Sequence, residues 1–116
     1  MLHIEPIDTA RPHFGGRVIG VNIAGGITAA QASAINQGMD TFGVLVFHNQ
    51  VISDDEQYAF STHFGAMETA SGDIAAQGDR RLSMKVNDIS NLGRDGEVMA
   101  RDDRRRLFGL GNMLWH

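Results

Sequence analysis

Residues 43–65, GVLVFHNQVISDDEQYAFSTHFG, contain the pattern that decides the fold class. Residues 44–47 form a continuous apolar run of strand-forming residues, which is typical of a short strand buried on both faces. Residues 53–56 (SDDE) form a capping box, in which the Ser and Glu side chains pair with free N–H groups at the start of a helix. Apolar residues then recur at helical spacing, so we expect a helix over about 54–63 that ends at Gly65.

The residues before this stretch predict two strands and a helix. Residues 2–7 alternate between apolar and polar side chains, and residues 17–23 (RVIGVNI) are rich in β-branched side chains, so each segment predicts a strand. A second capping box at 28–31 (TAAQ) and apolar residues at helical spacing predict a helix over about 29–41, which Gly43 ends. Strands and helices in this order indicate a mixed α+β arrangement.

The residues after Gly65 give weaker signals. Residues 66–80 predict a long loop, and residues 82–86 predict a strand. Residues 88–96 (DISNLGRDG) begin like a calcium loop, but Leu92 and Met99 stand where oxygen ligands are needed, so we interpret the segment as a turn.

Two further segments close the chain. Residues 101–106 (RDDRRR) favour a solvated, internally paired surface, with anion binding as the alternative. Residues 113–115 (MLW) look like the beginning of a strand. The apolar strand at 44–47 needs cover on two faces, and the predicted elements supply only part of it. We therefore expect residues 1–116 to be one portion of a single domain whose core is incomplete in this chain.

Composition excludes several classes of function. The net charge of −4 favours neither a nucleic acid nor a membrane surface as partner. The absence of cysteine excludes disulfide frameworks and thiolate metal sites, and fits a cytoplasmic protein. The first sixteen residues carry acidic side chains and no long apolar run, so we expect no signal peptide, and no stretch is long enough to span a bilayer.

The histidines are candidates for chemistry, although no pair has the i, i+4 spacing of a helical metal site. His63 is expected on the apolar side of its helix, where a packed role is favoured, and His48 is expected to cap the turn after the strand. His116 follows Trp115 in a segment that resembles a strand, so the two side chains should face opposite sides, one packed and one directed at a cavity.

Four stretches resemble the taurine/2,4-D dioxygenase family of iron(II)- and 2-oxoglutarate-dependent oxygenases. They are FGGRVIGVNI (14–23), residues 43–65, DISNLGRDGEVMARD (88–102) and GNMLWH (111–116), and they follow the family's order over essentially the whole chain. The third stretch points to the 2,4-D side of the family. The resemblance implies a jelly-roll (double-stranded β-helix) oxygenase fold, of which this chain would be the N-terminal part, containing strands and two helices.

The resemblance also implies a metal site. In the family, Trp is followed by His-x-Asp, and these two ligands, with a distant second His, bind iron. His116 matches the first ligand, and Asn112 matches a position that reaches the substrate pocket. The remaining ligands and the 2-oxoglutarate-binding Arg would lie beyond residue 116. In the loop after Gly65, the taurine enzyme has a His where Ala70 stands, which disfavours taurine as substrate. Herbicide-acid relatives have a Lys near the position of Asp73, so this loop does not indicate a phenoxy acid either.

The implied function is hydroxylation of a small, anionic organic molecule, with Fe(II) as cofactor and with 2-oxoglutarate and O₂ as cosubstrates. The intact protein would be the enzyme, and the 116-residue segment alone would be inactive. A homo-oligomer is compatible with this interpretation. The alternative is a non-catalytic binding or assembly module that keeps the scaffold without a complete metal site.

Overall fold

The computed structural model describes residues 1–68, 81–83 and 86–113. The elements are, in chain order, strand β1 (His3–Pro6), strand β2 (Gly16–Ile19), helix α1 (Ala29–Phe42), strand β3 (Leu45–Phe47), helix α2 (Asp54–Ser61), a 3₁₀ helix (Thr62–Phe64), helix α3 (Arg104–Gly109) and a second 3₁₀ helix (Leu110–Met113). They group into two compact units, Met1–Met67 and Glu68–His116. None of the helices in these described ranges is long and apolar enough to cross a membrane.

A three-stranded mixed sheet forms the first unit together with α1 and α2. Strand β1 pairs antiparallel with β2, which places Ile4 opposite Val18. Strand β2 pairs parallel with β3, which places Val18 opposite Phe47. A parallel pair needs a crossover connection, and α1 provides it between β2 and β3. The predicted α+β arrangement is therefore observed in this unit.

Both capping boxes form as the sequence predicts. The Thr28 hydroxyl accepts a hydrogen bond from the Gln31 N–H at 3.2 Å, and the Gln31 side chain accepts one from the Thr28 N–H at 2.9 Å. Ser53 and Glu56 form the same reciprocal pair at the start of α2. At the other end of α1, Gly43 adopts a left-handed conformation with φ of 69°. Glycine favours that conformation, so the helix ends there.

The core of the first unit lies around the inner face of α1. Ile27, Ala32 and Ile35 are buried together, and partly buried side chains from β3, from α2 and from residues that flank β1 and β2 pack against them. Those packed side chains are Leu2, Val21, Leu45, Phe47 and Phe60. A Cβ atom at Gly38 would overlap with Ile4 Cδ1, so α1 approaches β1 closely through a glycine.

The apolar strand at 44–47 differs from its prediction. Strand β3 spans Leu45–Phe47 and is half-buried, and Val44 is 49% exposed. Among the described residues β3 has β2 as its single strand neighbour, so it lies at an edge of the sheet. The strand is thus one residue shorter than predicted, and its half-burial agrees with the expectation that this chain supplies only part of the cover that the strand needs.

Two other expectations are corrected in the second unit. Within the predicted strand at 82–86, residues 82 and 86 lie at bends, and residues 84–85 are outside the described ranges. Met113 ends a 3₁₀ helix and therefore does not begin a strand. Helix α3 was not predicted, because its sequence, RRRLFG, has too few residues to show a helical period.

Two predicted features lie outside the described residues. The loop predicted at 66–80 is described only as far as Glu68, and those first three residues have no regular structure. Ala70 and residues 114–116 are likewise not described. The predicted strand at 113–115 and the metal ligand His116 therefore remain predictions beyond Met113.

Candidate functional site

A tight turn occupies the segment that begins like a calcium loop. Leu92 and Val98 form an antiparallel bridge, and the Met99 N–H donates to the Asn91 carbonyl at 2.8 Å. The Gly93 N–H donates to the Glu97 carbonyl at 2.8 Å, so the segment folds back on itself. No group of three potential metal ligands occurs within the described part of the chain. The interpretation of 88–96 as a turn is confirmed.

An ion pair fixes the entrance to this turn. Arg81 donates from Nε and Nη2 to the two carboxylate oxygens of Asp88, at 3.0 Å each. The Ser90 hydroxyl donates to Asp88 Oδ1 at 2.7 Å and accepts a hydrogen bond from the Leu92 N–H at 3.2 Å. Two parallel hydrogen bonds between a guanidinium and a carboxylate fix both position and orientation. Asp88 therefore links Arg81 to Ser90, and Ser90 in turn binds the Leu92 N–H.

Asp103 precedes helix α3 as its N-cap residue and forms an ion pair with Arg105. Its Oδ1 atom accepts hydrogen bonds from the Arg105 N–H at 2.9 Å and from Arg105 Nε at 3.2 Å, and its Oδ2 atom accepts one from Nη2 at 2.9 Å. The side-chain hydrogen bonds from Arg105, followed by the one from its N–H, lower the pKa of the Asp103 carboxyl from 3.8 to about 2. The Asp103 side chain, which is the N-cap of α3, is therefore ionised at neutral pH.

The two neighbouring arginines are also engaged within the segment. The Arg104 guanidinium lies 5.8 Å from the centre of the Phe108 ring, a cation–π distance. Arg106 donates from Nη1 to the Arg101 carbonyl at 2.8 Å. The prediction that residues 101–106 pair internally is confirmed. Because Asp is a preferred N-cap residue, Asp103 was the one sequence signal that could have predicted α3.

An open cleft of about 480 Å³ lies beside this segment and is lined by Gly93, Arg94, Asp95 and Arg105. Its charges are mixed, since one carboxylate stands among two guanidinium groups. Asp95 already accepts a hydrogen bond from the Glu97 N–H at 3.0 Å, which stabilises the turn. This hydrogen bond gives Asp95 a structural role within the turn.

Asn112 lies in the 3₁₀ helix that continues directly from α3. The helical run over 104–113 therefore determines where its backbone lies. His116 follows four residues later, outside the described residues.

The other histidines do not form a site with one another. His63 lies in the 3₁₀ helix after α2 and is exposed, with its ring centre 6.5 Å from that of Phe64, so the expectation of a packed histidine is wrong. Helix α2 ends at Ser61, so His63 lies outside the helix on whose apolar side it was expected. The imidazole of His48 is exposed, and it is Gln50 that bridges the turn by donating to the His48 carbonyl at 3.1 Å.

Comparison with solved structures shows which known fold this chain shares. No family model matches the chain. The crystal structure of AAD-2 in complex with Mn(II) and N-oxalylglycine superposes on all of this chain with a TM-score of 0.86 and 42% sequence identity, and the match spans 39% of that protein. The small mixed sheet and its helices therefore have the fold found in part of that protein.

Curated relatives then identify the family. The chain is 32% identical over 105 residues to the alpha-ketoglutarate-dependent 2,4-dichlorophenoxyacetate dioxygenase of Burkholderia sp. (strain RASC), covering 90% of this chain and 35% of that protein. It is 32% identical over 109 residues to the (S)-phenoxypropionate/alpha-ketoglutarate-dioxygenase of Delftia acidovorans, covering 89% and 32%. The resemblance to the taurine/2,4-D dioxygenase family is confirmed. The chain spans about a third of the length of these relatives.

Proposed function

We propose that the protein containing this chain is an iron(II)- and 2-oxoglutarate-dependent dioxygenase that hydroxylates a small organic anion. The observation that carries the proposal is the similarity to two alpha-ketoglutarate-dependent dioxygenases over about nine-tenths of this chain. The solved neighbour binds Mn(II) and N-oxalylglycine, which has an NH group where 2-oxoglutarate has a CH₂ group. A divalent metal and a 2-oxo acid are therefore the expected cofactor and cosubstrate.

His116 would be the first iron ligand in this proposal. A neutral imidazole and a carboxylate two residues further on would bind one face of the metal, because residues i and i+2 of a strand face the same side. A second histidine would complete the site. When bound, the metal and the 2-oxo acid supply the oxidative chemistry, and this chain supplies one ligand and part of the wall of the site.

Asn112 would face the substrate. Its amide can both donate and accept hydrogen bonds, which suits recognition of a polar group on a small molecule. The substrates named for the two relatives are aryloxyalkanoic acids. We infer the same chemical class here, an alkanoate whose carbon next to the carboxylate bears an aryl ether oxygen, as the first substrates to test.

The rest of the jelly-roll core would come from residues beyond this segment. Several large apolar side chains of the chain are exposed, which fits cover by further parts of one domain rather than a self-contained module. Apart from Met1, the most exposed of them among the described residues are Val51 (92%), Met113 (81%), Ile89 (79%), Val98 (68%) and Phe14 (63%). Residues 1–116 are accordingly proposed to be one portion of a single catalytic domain.

The experiment begins with the complete gene product. Its residue 118 is expected to be Asp, and it should convert 2-oxoglutarate to succinate only when Fe(II) and substrate are present. His116→Ala should abolish both turnover and Co(II) binding, which is followed by absorption spectroscopy. Asn112→Ala should raise the KM for substrate and leave Co(II) affinity unchanged. His13→Ala, which removes an exposed histidine at a turn, is the matched control and should change neither quantity.

The alternative of a non-catalytic module makes the opposite prediction. A stable, monodisperse 12.6 kDa protein that binds no divalent metal, encoded by a gene without an x-Asp pattern after His116, would support it. That result would overturn the dioxygenase proposal.

A further inference from the structure

The helical run that carries Asn112 has little burial to stabilise it. Helix α3 has six residues, and none of these six is buried. Isolated helices shorter than about 12–15 residues are marginal in water, because nucleation costs more than a few hydrogen bonds return. Within this chain, burial therefore contributes little to the order of residues 104–113, and polar contacts at the start of the run contribute to it.

Among the described residues, the contacts at the N-terminal end of the run involve Asp103 and Arg105, which we call the clasp. The Asp103 carboxylate holds the Arg105 N–H and the Arg105 guanidinium together, with the three bonds between 2.9 and 3.2 Å. The Asp103 carbonyl also accepts a hydrogen bond from the Leu107 N–H at 3.0 Å. One residue thus begins the helix through its side chain and through its main chain.

We propose that the clasp of Asp103 and Arg105 is a positioning device for Asn112. It fixes where the helical run begins, and Asn112 lies about 15 Å further along the axis, given about 1.5 Å per residue in an α-helix and 2.0 Å in a 3₁₀ helix. If the run frays from its first turn, the backbone at Asn112 loses its fixed place. The part of this inference that concerns substrate rests on the proposed function of Asn112.

The test compares three variants in the complete protein. Asp103→Ala removes the cap and the ion pair, Asp103→Asn keeps an oxygen that can cap, and Asp102→Ala removes an adjacent exposed carboxylate as the control. Amide hydrogen exchange is measured at residues 107–113. The KM values for substrate and for 2-oxoglutarate are measured separately.

We expect Asp103→Ala to lower exchange protection at residues 107–113 by about fivefold, the effect of losing a typical N-cap. The same variant should raise the KM for substrate by a similar factor and leave the KM for 2-oxoglutarate unchanged. Asp103→Asn should recover most of both losses, and Asp102→Ala should show neither.

Unchanged protection in Asp103→Ala, or an equal loss in Asp102→Ala, would overturn the proposal. A loss of protection without any change in substrate KM would also overturn it, because the helix would then be ordered by the clasp without placing Asn112 for substrate. Failure of the unmodified protein to consume 2-oxoglutarate would instead reject the proposed function. The exchange data would then decide separately whether the clasp orders residues 107–113.

Discussion

The side-chain oxygen of Gln50 accepts a hydrogen bond from the Ile23 N–H at 2.9 Å, across 27 residues of chain. The amide nitrogen of the same side chain donates to the Val21 carbonyl at 3.3 Å and to the His48 carbonyl at 3.1 Å. Gln50 thereby joins the segment after β2 to the turn after β3. Main-chain pairing between β2 and β3 stops at the ends of these strands. Beyond that point, the Gln50 side chain connects the two segments.

Replacing Gln50 should destabilise the first unit. Gln50→Ala leaves the N–H of the buried residue Ile23 without this partner, and we expect a loss of about 1–3 kcal/mol in the free energy of unfolding. Gln50→Glu should be more harmful at pH 7 than at pH 4, because a carboxylate cannot donate to the two carbonyl groups. Urea denaturation measures both effects. Gln37→Ala, at an exposed position of α1, is the control, and an equal loss there would contradict the assignment.

Replacement of Gly38 by a larger residue is expected to lower stability, because Ile4 would have to move. Alanine is normally favoured over glycine inside a helix by about 1 kcal/mol. At Gly38 the added methyl group would overlap with Ile4 Cδ1 and lie 3.3 Å from Leu45 Cδ1, so we expect Gly38→Ala to lower stability by about 1–3 kcal/mol. Gly109→Ala makes the same change in α3, where the Cβ position meets no atom within 4 Å, and should be neutral or stabilising. Thermal denaturation measures whether each of the two substitutions lowers or raises the stability.

The capping box of α1 gives a third prediction. Thr28→Ala removes the hydroxyl that accepts the Gln31 N–H and should cost about 1 kcal/mol in the free energy of unfolding. Thr28→Ser keeps the hydroxyl and should recover most of that stability. Denaturation with urea provides the measurement, and equal stability of the two variants would show that the hydroxyl is not responsible.

The ionisation of Asp103 can be measured directly. Its pKa should be about 2, below the ordinary value of 3.8. Because the folded pKa is the lower one, the carboxylate contributes stability above about pH 4 and loses that contribution as the pH falls toward 2. Arg105→Gln removes the main cause of the shift, so the pKa should move back toward 3.8. A carbon-detected NMR titration of the carboxyl group tests this, and an unshifted pKa in the unmodified protein would contradict the ion pair.

The parts of the fold that the sequence predicts well rest on local interactions. The reciprocal contacts of Thr28 with Gln31 and of Ser53 with Glu56 join residues three apart, so composition and spacing reveal them. The left-handed conformation of Gly43 likewise depends on one residue and its nearest neighbours. Helix α3 was missed because its order comes from specific side-chain pairs rather than from a repeating apolar pattern.

For the candidate site too, the sequence predicted some features and missed others. Motif resemblance predicts roles for Asn112 and His116, and the confirmed relatedness to the 2,4-D dioxygenases supports that prediction. The same local sequence predicted a strand through Met113, whereas the structure has a 3₁₀ helix. The apolar residues 113–115 (MLW) are compatible with a strand or with a helix, since a short apolar run shows no period that distinguishes the two.

The sequence by itself determined where α1 and α2 begin, where α1 ends, and which family the chain resembles. Only the tertiary structure decided that Gly38 lies against Ile4, that β2 and β3 are parallel, and that Gln50 holds Ile23. Each of these contacts joins residues between 27 and 34 positions apart. The physical reason is that a contact depends on both partners, and a linear pattern describes the surroundings of only one of them.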